Sequence, residues 1–363
     1  MPELLDLSPD AVRVALVVPL RGPAGIFGPS AELCAQLAAE EVNAAGGVLG
    51  RELVLIPVDG GAAPERVAAE VEALVSMGAV HGVTGWHISS VRQAVAPRVA
   101  GRIPYVYTAL YEGGERTAGV FLTSETPQAQ LLPAMSLLTG ERGVRSWHIV
   151  GNDYVWPRRT AHAVRRHGTR IAGEDYVPLG THDFSRVISR VERAEADAVL
   201  MLLVGNDAVR FNRAFARAGL DARCLRLSTL MDENMLLASG HAATHDLHSA
   251  AGFFASMVTP ESLDFHGRYA ARFGPEAPPL GSLGESCYEG VLLLVALIRR
   301  ARTLDVREIG ARAGEVSYEG PRGLLRLHRR HVRQRIYLAR ARGVEFDVLT
   351  NLPPSTEDAS SWK

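Results

Sequence analysis

Short apolar runs alternate with amphipathic segments along the first third of the chain. An apolar run at 12–20 is followed by helical periodicity over 30–47, and further apolar runs lie at 52–59, 79–85 and 103–109, with helical segments between them. Short apolar strands that alternate with helices are typical of a parallel sheet covered on both faces. The pattern therefore predicts an α/β fold.

The same alternation starts again near residue 145, which predicts a second α/β unit. Strand-like runs cover 145–154, 170–179 and 197–205, with helical patterns between them. A long apolar helix is predicted over 285–304, and strands or a hairpin are expected after it. A chain of 363 residues has ample length and apolar content for two cores.

Composition sets limits on the possible partners. The formal net charge is −1 and 47% of the residues are hydrophobic, so no overall positive field calls for nucleic acid or an anionic membrane. No run reaches the ~20 apolar residues that a membrane helix needs, so membrane insertion is not expected. The strongly basic stretch 326–335 is expected to be an exposed strand or hairpin, not a nucleic-acid patch.

The N-terminal sequence and the cysteines bear on localisation. The first 20 residues lack a basic start and a small-residue cleavage site, so they do not resemble a signal peptide. We expect a cytoplasmic protein if the chain is native and of full length, and a periplasmic or extracytoplasmic one if a leader was removed. Cys34 and Cys287 fall in apolar helical patterns, which predicts buried thiols.

The segment GWHISSVRQAV at 85–95 places two serines on a predicted strand-to-helix turn. Ser89 and Ser90 would offer hydroxyls and free helix N–H groups to a ligand carbonyl or carboxylate, or one of them would only cap its own helix. Catalysis is not favoured, because His87 is the only nearby base and the Gly-x-Ser-x-Gly elbow of hydrolases is missing. We therefore expect no catalytic residue.

Three histidines have a spacing that suits a metal site on a helix, namely His241, His245 and His248. No cysteine or paired carboxylate completes such a site, so we expect scattered surface histidines and no metal. The sequence also lacks the glycine-rich motifs that hold phosphates, so nucleotide binding is not supported and no cofactor is predicted.

The segment AAEEVNAAGGVLGRELVLIPVD at 38–59 closely resembles the type I periplasmic-binding-protein family. The resemblance runs over nearly the whole chain, from about residue 12 to about 348. PLRGPAGIFG at 19–28 is similar to the family's first ligand-side loop. CYEGVLLLVALIRRA at 287–301 is similar to its aromatic-led C-terminal helix.

Two further segments resemble the amide- and urea-binding branch, which includes the cytoplasmic amide sensor of an amidase operon. They are YTALYEGGE at 107–115 and GNDYVWPRR at 151–159. Trp156, His87 and Ala109 depart from this branch, which more often has Tyr, Tyr and Thr there. These departures imply an altered pocket, for a ligand that is bulkier than acetamide or aromatic.

The resemblance implies a two-lobed α/β clamp, in which each lobe is a mostly parallel sheet flanked by helices. The first lobe would comprise 11–122 plus 251–330, the second 125–247 plus 331–350, and 351–363 would form a tail. A ligand in the cleft would favour the closed state through contacts with both lobes. Three hinge crossings are expected, near Thr123–Pro127, Ser249–Phe254 and Arg326–Arg335.

Ligands of open α/β sheets bind at the carboxyl ends of the strands. Together with the resemblance, this placement selects ten candidate ligand-binding residues. They are Ser89, Ser90, His87, Tyr107, Ala109, Tyr111, Tyr154, Trp156, Asp232 and Glu233. The aromatic residues would stack on a planar ligand or merely pack near the hinge, and the two acids would meet a ligand ammonium or be solvated.

The expected function is non-catalytic binding of a small polar organic molecule, an amide, urea, amino-acid-like or aromatic compound. The clamp would act as a sensor that passes closure to a regulatory protein. The alternative is the solute-binding component of an ABC transporter, with a permease as partner. An enzyme on the same lobes is the third reading, and a homodimer is left open.

Overall fold

The computed structural model describes residues 11–353, which form two sheets flanked by helices. The strands are β1 (Ala11–Val18), β2 (Glu52–Asp59), β3 (Gly82–Gly85), β4 (Tyr105–Tyr107), β5 (Val120–Leu122), β6 (Trp147–Asn152), β7 (Ile171–Val177), β8 (Ala198–Leu202), β9 (Leu225–Ser228), β10 (Leu247–Ala251), β11 (Ser317–Gly320), β12 (Gly323–His328), β13 (His331–Arg333), β14 (Tyr337–Arg342) and β15 (Glu345–Asn351).

The helices fill the connections that parallel strands require. They are α1 (Gly28–Ala44), α2 (Pro64–Ser76), α3 (Ser89–Val99), α4 (Leu131–Arg142), α5 (Val155–Arg166), α6 (Ser185–Ala194), α7 (Asn206–Arg217), α8 (Glu233–Ser239), α9 (Pro260–Phe273), α10 (Ser282–Ala301) and α11 (Val306–Arg312). The long helix α10 is buried along most of its length, because it packs against α1 and against strands of the first sheet.

Each sheet has a parallel centre and an antiparallel edge. The first sheet has the order β11-β12-β13-β5-β4-β3-β1-β2, and the second has the order β15-β14-β10-β9-β8-β6-β7. Strand β1 is buried at all eight positions because β2 and β3 flank it and helices cover the sheet, which explains why its sequence is apolar at every position except Arg13. The α/β fold and its two-lobed arrangement are confirmed.

The chain passes between the two sheets three times, after β5, after β10 and after β13. The third crossing falls at 334–336, at the far end of the segment expected for it, because β13 still pairs in the first sheet. The basic stretch around it is the predicted hairpin, formed by β12 and β13. The lobe boundaries themselves stay a prediction, and residues 354–363 of the expected tail lie outside the described residues.

Gly252, on the second crossing, is surrounded by polar side chains from the other two crossings and from the turn between β11 and β12. A Cβ at Gly252 would lie 2.6 Å from Arg322 Nη1 and 3.0 Å from both Glu125 Oε1 and Gln334 Oε1. Arg322 is buried and forms an ion pair with Glu289. The three crossings are therefore packed together at one point, which suits a hinge.

The expectation of buried thiols can be compared with the structure. Cys34, Cys224 and Cys287 are all buried free thiols. Among residues 11–353, no helix combines the length and the apolar character required to cross a membrane.

Candidate functional site

The turn between β3 and α3 is shaped by a glycine. Gly85 has φ +128°, and a Cβ there would lie 2.3 Å from the Val17 carbonyl oxygen on the neighbouring strand. Any other residue would push the strands apart, so this close approach fixes the direction in which the chain leaves the sheet. The turn then carries Trp86, His87 and Ile88 to the cleft edge before α3 begins at Ser89.

Neither serine caps this helix. Ile88 occupies the N-cap position of α3, and no side chain accepts a capping hydrogen bond there. Ser89 is buried, and Tyr107 is a polar neighbour of its side chain, but the pair lacks hydrogen-bond geometry, so the Ser89 oxygen makes no well-formed hydrogen bond to a described residue. Ser90 is half-buried and does not line the cavity described next. The capping interpretation of these serines is therefore wrong.

A small cavity lies where the carboxyl ends of β3 and β4 face those of β6 and β9. Its volume is about 10 Å³, which is room for roughly one water molecule. Five predicted residues line it, and four others that the sequence did not single out complete it. The lining residues are His87, Ser89, Ala109, Tyr154 and Trp156, with Trp86, Ile88, Leu110 and Leu230.

Two buried hydrogen-bonding groups on this wall lack a partner within the described chain. They are the Ser89 hydroxyl and the Trp86 indole N–H. The first N–H groups of a helix also have no partner inside the helix, and α3 starts at Ser89. A buried polar group without a hydrogen bond is costly, and these donors together suit an acceptor that carries negative charge. Trp86 is the residue that sequence reasoning missed here.

His87 lines the cavity but cannot use its ring nitrogens there. Its Nδ1 lies 3.0 Å from the Val17 carbonyl oxygen, to which it must donate, and Nε2 lies 2.5 Å from the Tyr105 hydroxyl, from which it then accepts. Burial lowers the pKa of His87 to about 4, so the ring is neutral near pH 7. His87 therefore offers ring surface only, and it is not available as a base for Ser89.

Tyr107 and Tyr111 lie behind this wall and do not line the cavity. The Tyr107 hydroxyl donates to the His87 carbonyl at 2.8 Å, and the Tyr111 hydroxyl is 2.9 Å from His331 Nε2. The guanidinium of Arg92 lies 5.2 Å and 4.7 Å from the two ring centroids. These tyrosines hold the β3–α3 turn in place from inside the lobe.

Tyr154 and Trp156 form the opposite wall at the start of α5. Their ring centroids are 6.3 Å apart with an interplanar angle of 40°. Trp156 is buried and Tyr154 is half-buried, and both face the cavity from the lobe built on the second sheet. Leu230, which follows β9, completes this wall. The two walls thus come from different lobes.

Asp232 and Glu233 do not line the cavity. Asp232 caps α8 by accepting the Met235 N–H at 3.1 Å, and Glu233 Oε1 accepts the Ala255 N–H at 2.7 Å. Both carboxyls lie 2.8 Å from the position of a Cβ at Gly281, which begins α10. Burial raises the pKa of Asp232 to about 6, and burial together with Asp232 raises that of Glu233 to about 8.

The histidine triplet does not converge. His241 and His245 are exposed, whereas His248 is buried in β10, where burial lowers its pKa to about 4. The expectation of three surface histidines is therefore wrong for His248, because β10 lies inside the second sheet between β9 and β14. Within the described chain, no group of three or more His, Cys, Asp or Glu side chains is arranged to hold a metal ion.

The two lobes touch above the cavity. Gly205, which follows β8 in the second sheet, has φ +49°, and a Cβ there would lie 2.1 Å from the Pro23 carbonyl oxygen. Pro23 belongs to the loop after β1 in the first sheet. Asn234 Nδ2 donates to the Pro279 carbonyl at 3.0 Å on the same side. The cleft is therefore closed in this structure.

Comparisons with known proteins agree with this geometry. A family model described as periplasmic binding protein matches residues 11–345. An ABC transporter substrate-binding protein from Sphaerobacter thermophilus is 25% identical, with a TM-score of 0.80, and the match covers 95% of this chain and 98% of that one.

Two more distant structures carry a ligand. An ABC transporter solute-binding protein from Rhodopseudomonas palustris in complex with p-hydroxybenzoic acid is 18% identical, with a TM-score of 0.84 over 98% of this chain and 100% of that one. A branched-chain amino acid transporter substrate-binding protein from Streptococcus pneumoniae in complex with isoleucine is 16% identical, with a TM-score of 0.81 over 94% and 99%.

Proposed function

Because residues 11–345 match its family model, the chain belongs to the periplasmic binding protein family, and we propose that it is the substrate-binding component of an ABC transporter for a small organic carboxylate. The observation that carries the proposal is the pair of unpartnered donors, the Ser89 hydroxyl and the Trp86 indole N–H, beside the first turn of α3. A carboxylate oxygen accepts from all of these groups and also gains from the positive end of the helix.

The remaining surface of the cavity indicates the body of the ligand. Tyr154, Trp156, Leu110 and Leu230 give it aromatic and aliphatic walls. None of the nine lining residues carries a carboxylate, so a ligand ammonium has no counter-charge there. The lining therefore favours an aromatic or apolar acid without an amino group over an amino acid.

Ligand binding requires the lobes to separate and close again. A cavity of about 10 Å³ is far smaller than the 300–1,000 Å³ typical of ligand pockets. Contacts such as that between Gly205 and Pro23 define the closed state, and a ligand that touches both walls stabilises it through its higher affinity for that state.

The transport role takes precedence over the regulatory sensor expected from the sequence. Relatives with the same fold across almost their whole length are described as ABC transporter proteins, which supports a permease as partner. A sensor would use the same clamp. The two roles differ in the protein that recognises the closed form, which is a permease in transport and a regulatory protein in sensing. Cells that lack the chain should lose uptake of the ligand. Unchanged uptake together with altered gene expression would instead support the sensor.

A thermal-shift panel tests the ligand class. We expect 4-hydroxybenzoate or a related aromatic acid to raise the melting temperature, by an amount that grows with the logarithm of its concentration relative to Kd, because it binds only the folded chain. Isoleucine, acetamide and urea should give smaller shifts. A shift with none of the acids, or a larger shift with an amide, would contradict the proposal.

A further inference from the structure

A second cavity lies at the amino ends of the strands of the first sheet, where β4 and β5 begin. Its volume is about 440 Å³, within the range of small-molecule sites. Gly101 precedes β4, and Arg116, Ala118 and Gly119 precede β5, whereas the cleft residues follow their strands, so the two cavities are on opposite sides of the lobe. Phe121 and Val306 form an apolar floor.

Among the residues whose side chains the structure describes, four arginines line this cavity and no acidic residue does. They are Arg116, Arg307, Arg329 and Arg330. Arg330 is held in place by the carbonyl oxygens of Arg116 and Thr117, to which its Nη1 donates at 2.9 Å and 2.7 Å. To the carboxylates whose placement the structure describes, none of the four forms an ion pair. Like charges gathered without a counter-charge repel one another and attract an anion.

The turn that supplies two of these arginines places one of them, Arg329, in a backbone conformation that arginine rarely adopts. His328 pairs with His331, so Arg329 and Arg330 form a two-residue hairpin turn. Arg329 has φ +59°, in the left-handed region where Asn or Gly is usual in such turns. Positive charge therefore occupies the turn at a conformational cost, which indicates a role for the charge itself.

We propose that this cavity binds a small polyanion that carries at least two carboxylate or phosphate groups. The guanidinium group is planar and always charged, and it pairs with such groups through two parallel hydrogen bonds. Several guanidinium groups around one cavity engage several anionic groups of one molecule. The site is distinct from the cleft, so its occupant differs from the transported ligand.

Isothermal titration calorimetry with citrate and with inorganic pyrophosphate tests this proposal and separates the two chemistries. We expect one of them to saturate the folded chain at low salt. Arg329→Asn and Arg307→Ser should each weaken that binding by about tenfold or more. Asn is chosen because it accepts the left-handed conformation. Arg217→Ser, on an exposed arginine at the end of α7, is the control and should stay within about twofold.

A cavity-filling variant separates a shaped site from a diffuse positive surface. Gly310 lines the cavity in α11, and a Cβ there meets nothing within 4 Å. Gly310→Leu keeps every charge but occupies the space, so it should also weaken binding by about tenfold. Thermal unfolding of each variant confirms that it is folded.

Three results would overturn the proposal. The first is that neither anion saturates the chain below about 1 mM, which is the weak end of specific affinity. The second is that Gly310→Leu binds as the parent does while the arginine variants weaken. The third is that an acidic peptide binds and both small anions fail, which would indicate a protein partner for this surface instead.

Discussion

The two cavities of the first lobe lie at opposite ends of the same strands and are built on different principles. At the carboxyl ends, the cleft is closed, and its buried polar groups are neutral donors such as the Ser89 hydroxyl. At the amino ends, the arginine-lined cavity is open to solvent and much larger, and its polar groups are guanidinium cations.

This difference shows that the volume of a cavity alone does not identify the main ligand-binding site. Neutral donors in a closed cleft select a ligand by its shape and by the position of its single negative charge. They act only when the lobes close. Cations around an open cavity attract an anion through their charge, and salt weakens this attraction more than it weakens the hydrogen bonds of the closed cleft. The predictions below should therefore change cleft binding and leave anion binding at the arginine-lined cavity intact.

The largest effect is expected from Gly205→Ala. The new Cβ would lie 2.1 Å from the Pro23 carbonyl oxygen, so the variant should close incompletely and bind the acid about 100-fold more weakly. Gly219→Ala is the matched control, because Gly219 also has positive φ but its Cβ would meet nothing within 4 Å. Equal affinities of the two variants in titration calorimetry would show that this contact does not limit closure.

Ser89→Ala comes next. A hydrogen bond to a charged group is worth about 1.5–3 kcal/mol, so affinity for the acid should fall by roughly 10–100-fold. The ligand-free variant should unfold at the same temperature or higher, because the hydroxyl is buried without a partner. A melting temperature lowered together with unchanged affinity would instead indicate a purely structural serine.

A smaller change in affinity is expected from Trp86→Phe. The ring packs edge-on against Phe27 with centroids 4.8 Å apart, which phenylalanine retains in part, while the indole N–H is lost. Loss of one donor to a charged acceptor should weaken binding of the acid by about tenfold, the lower end of the range for such hydrogen bonds. An unchanged affinity in calorimetry would remove Trp86 from the binding site.

The smallest effect concerns pH and Glu233. Burial and Asp232 raise the pKa of Glu233 to about 8 from the ordinary 4.5, so the folded chain keeps a proton that the unfolded chain releases. Stability should therefore fall as pH rises from about 4.5 to about 8. Glu233→Gln should flatten this fall by about 5 °C in melting temperature between pH 5 and pH 9. Parallel profiles for the two proteins would contradict the raised pKa.

Much of the fold follows from the sequence because its signals are local. The strand expected at 52–59 is observed at Glu52–Asp59, and the helix expected from Ser89 begins there. Pattern alone did not show that β13 stays in the first sheet, because pairing between β13 and β5 joins segments about 200 residues apart.

The candidate site was predicted in part, for a similar reason. The rule that ligands lie at the carboxyl ends of strands selected Ser89, Tyr154 and Trp156, the family resemblance added His87 and Ala109, and all five line one cavity. It could not show which groups already have partners. The nitrogens of His87 are used inside the lobe and Asp232 caps a helix, whereas the indole N–H of Trp86 is left free within the described chain.

The most direct test compares 4-hydroxybenzoate with 4-hydroxybenzamide, which has nearly the same shape but no charge. Titration calorimetry of both against the same preparation isolates the role of the carboxylate at Ser89, Trp86 and the start of α3. We predict that the acid binds at least about tenfold more tightly, as expected for hydrogen bonds to a charged acceptor. An amide that binds as tightly as the acid, or more so, would contradict the account and return the chain to the amide-binding branch.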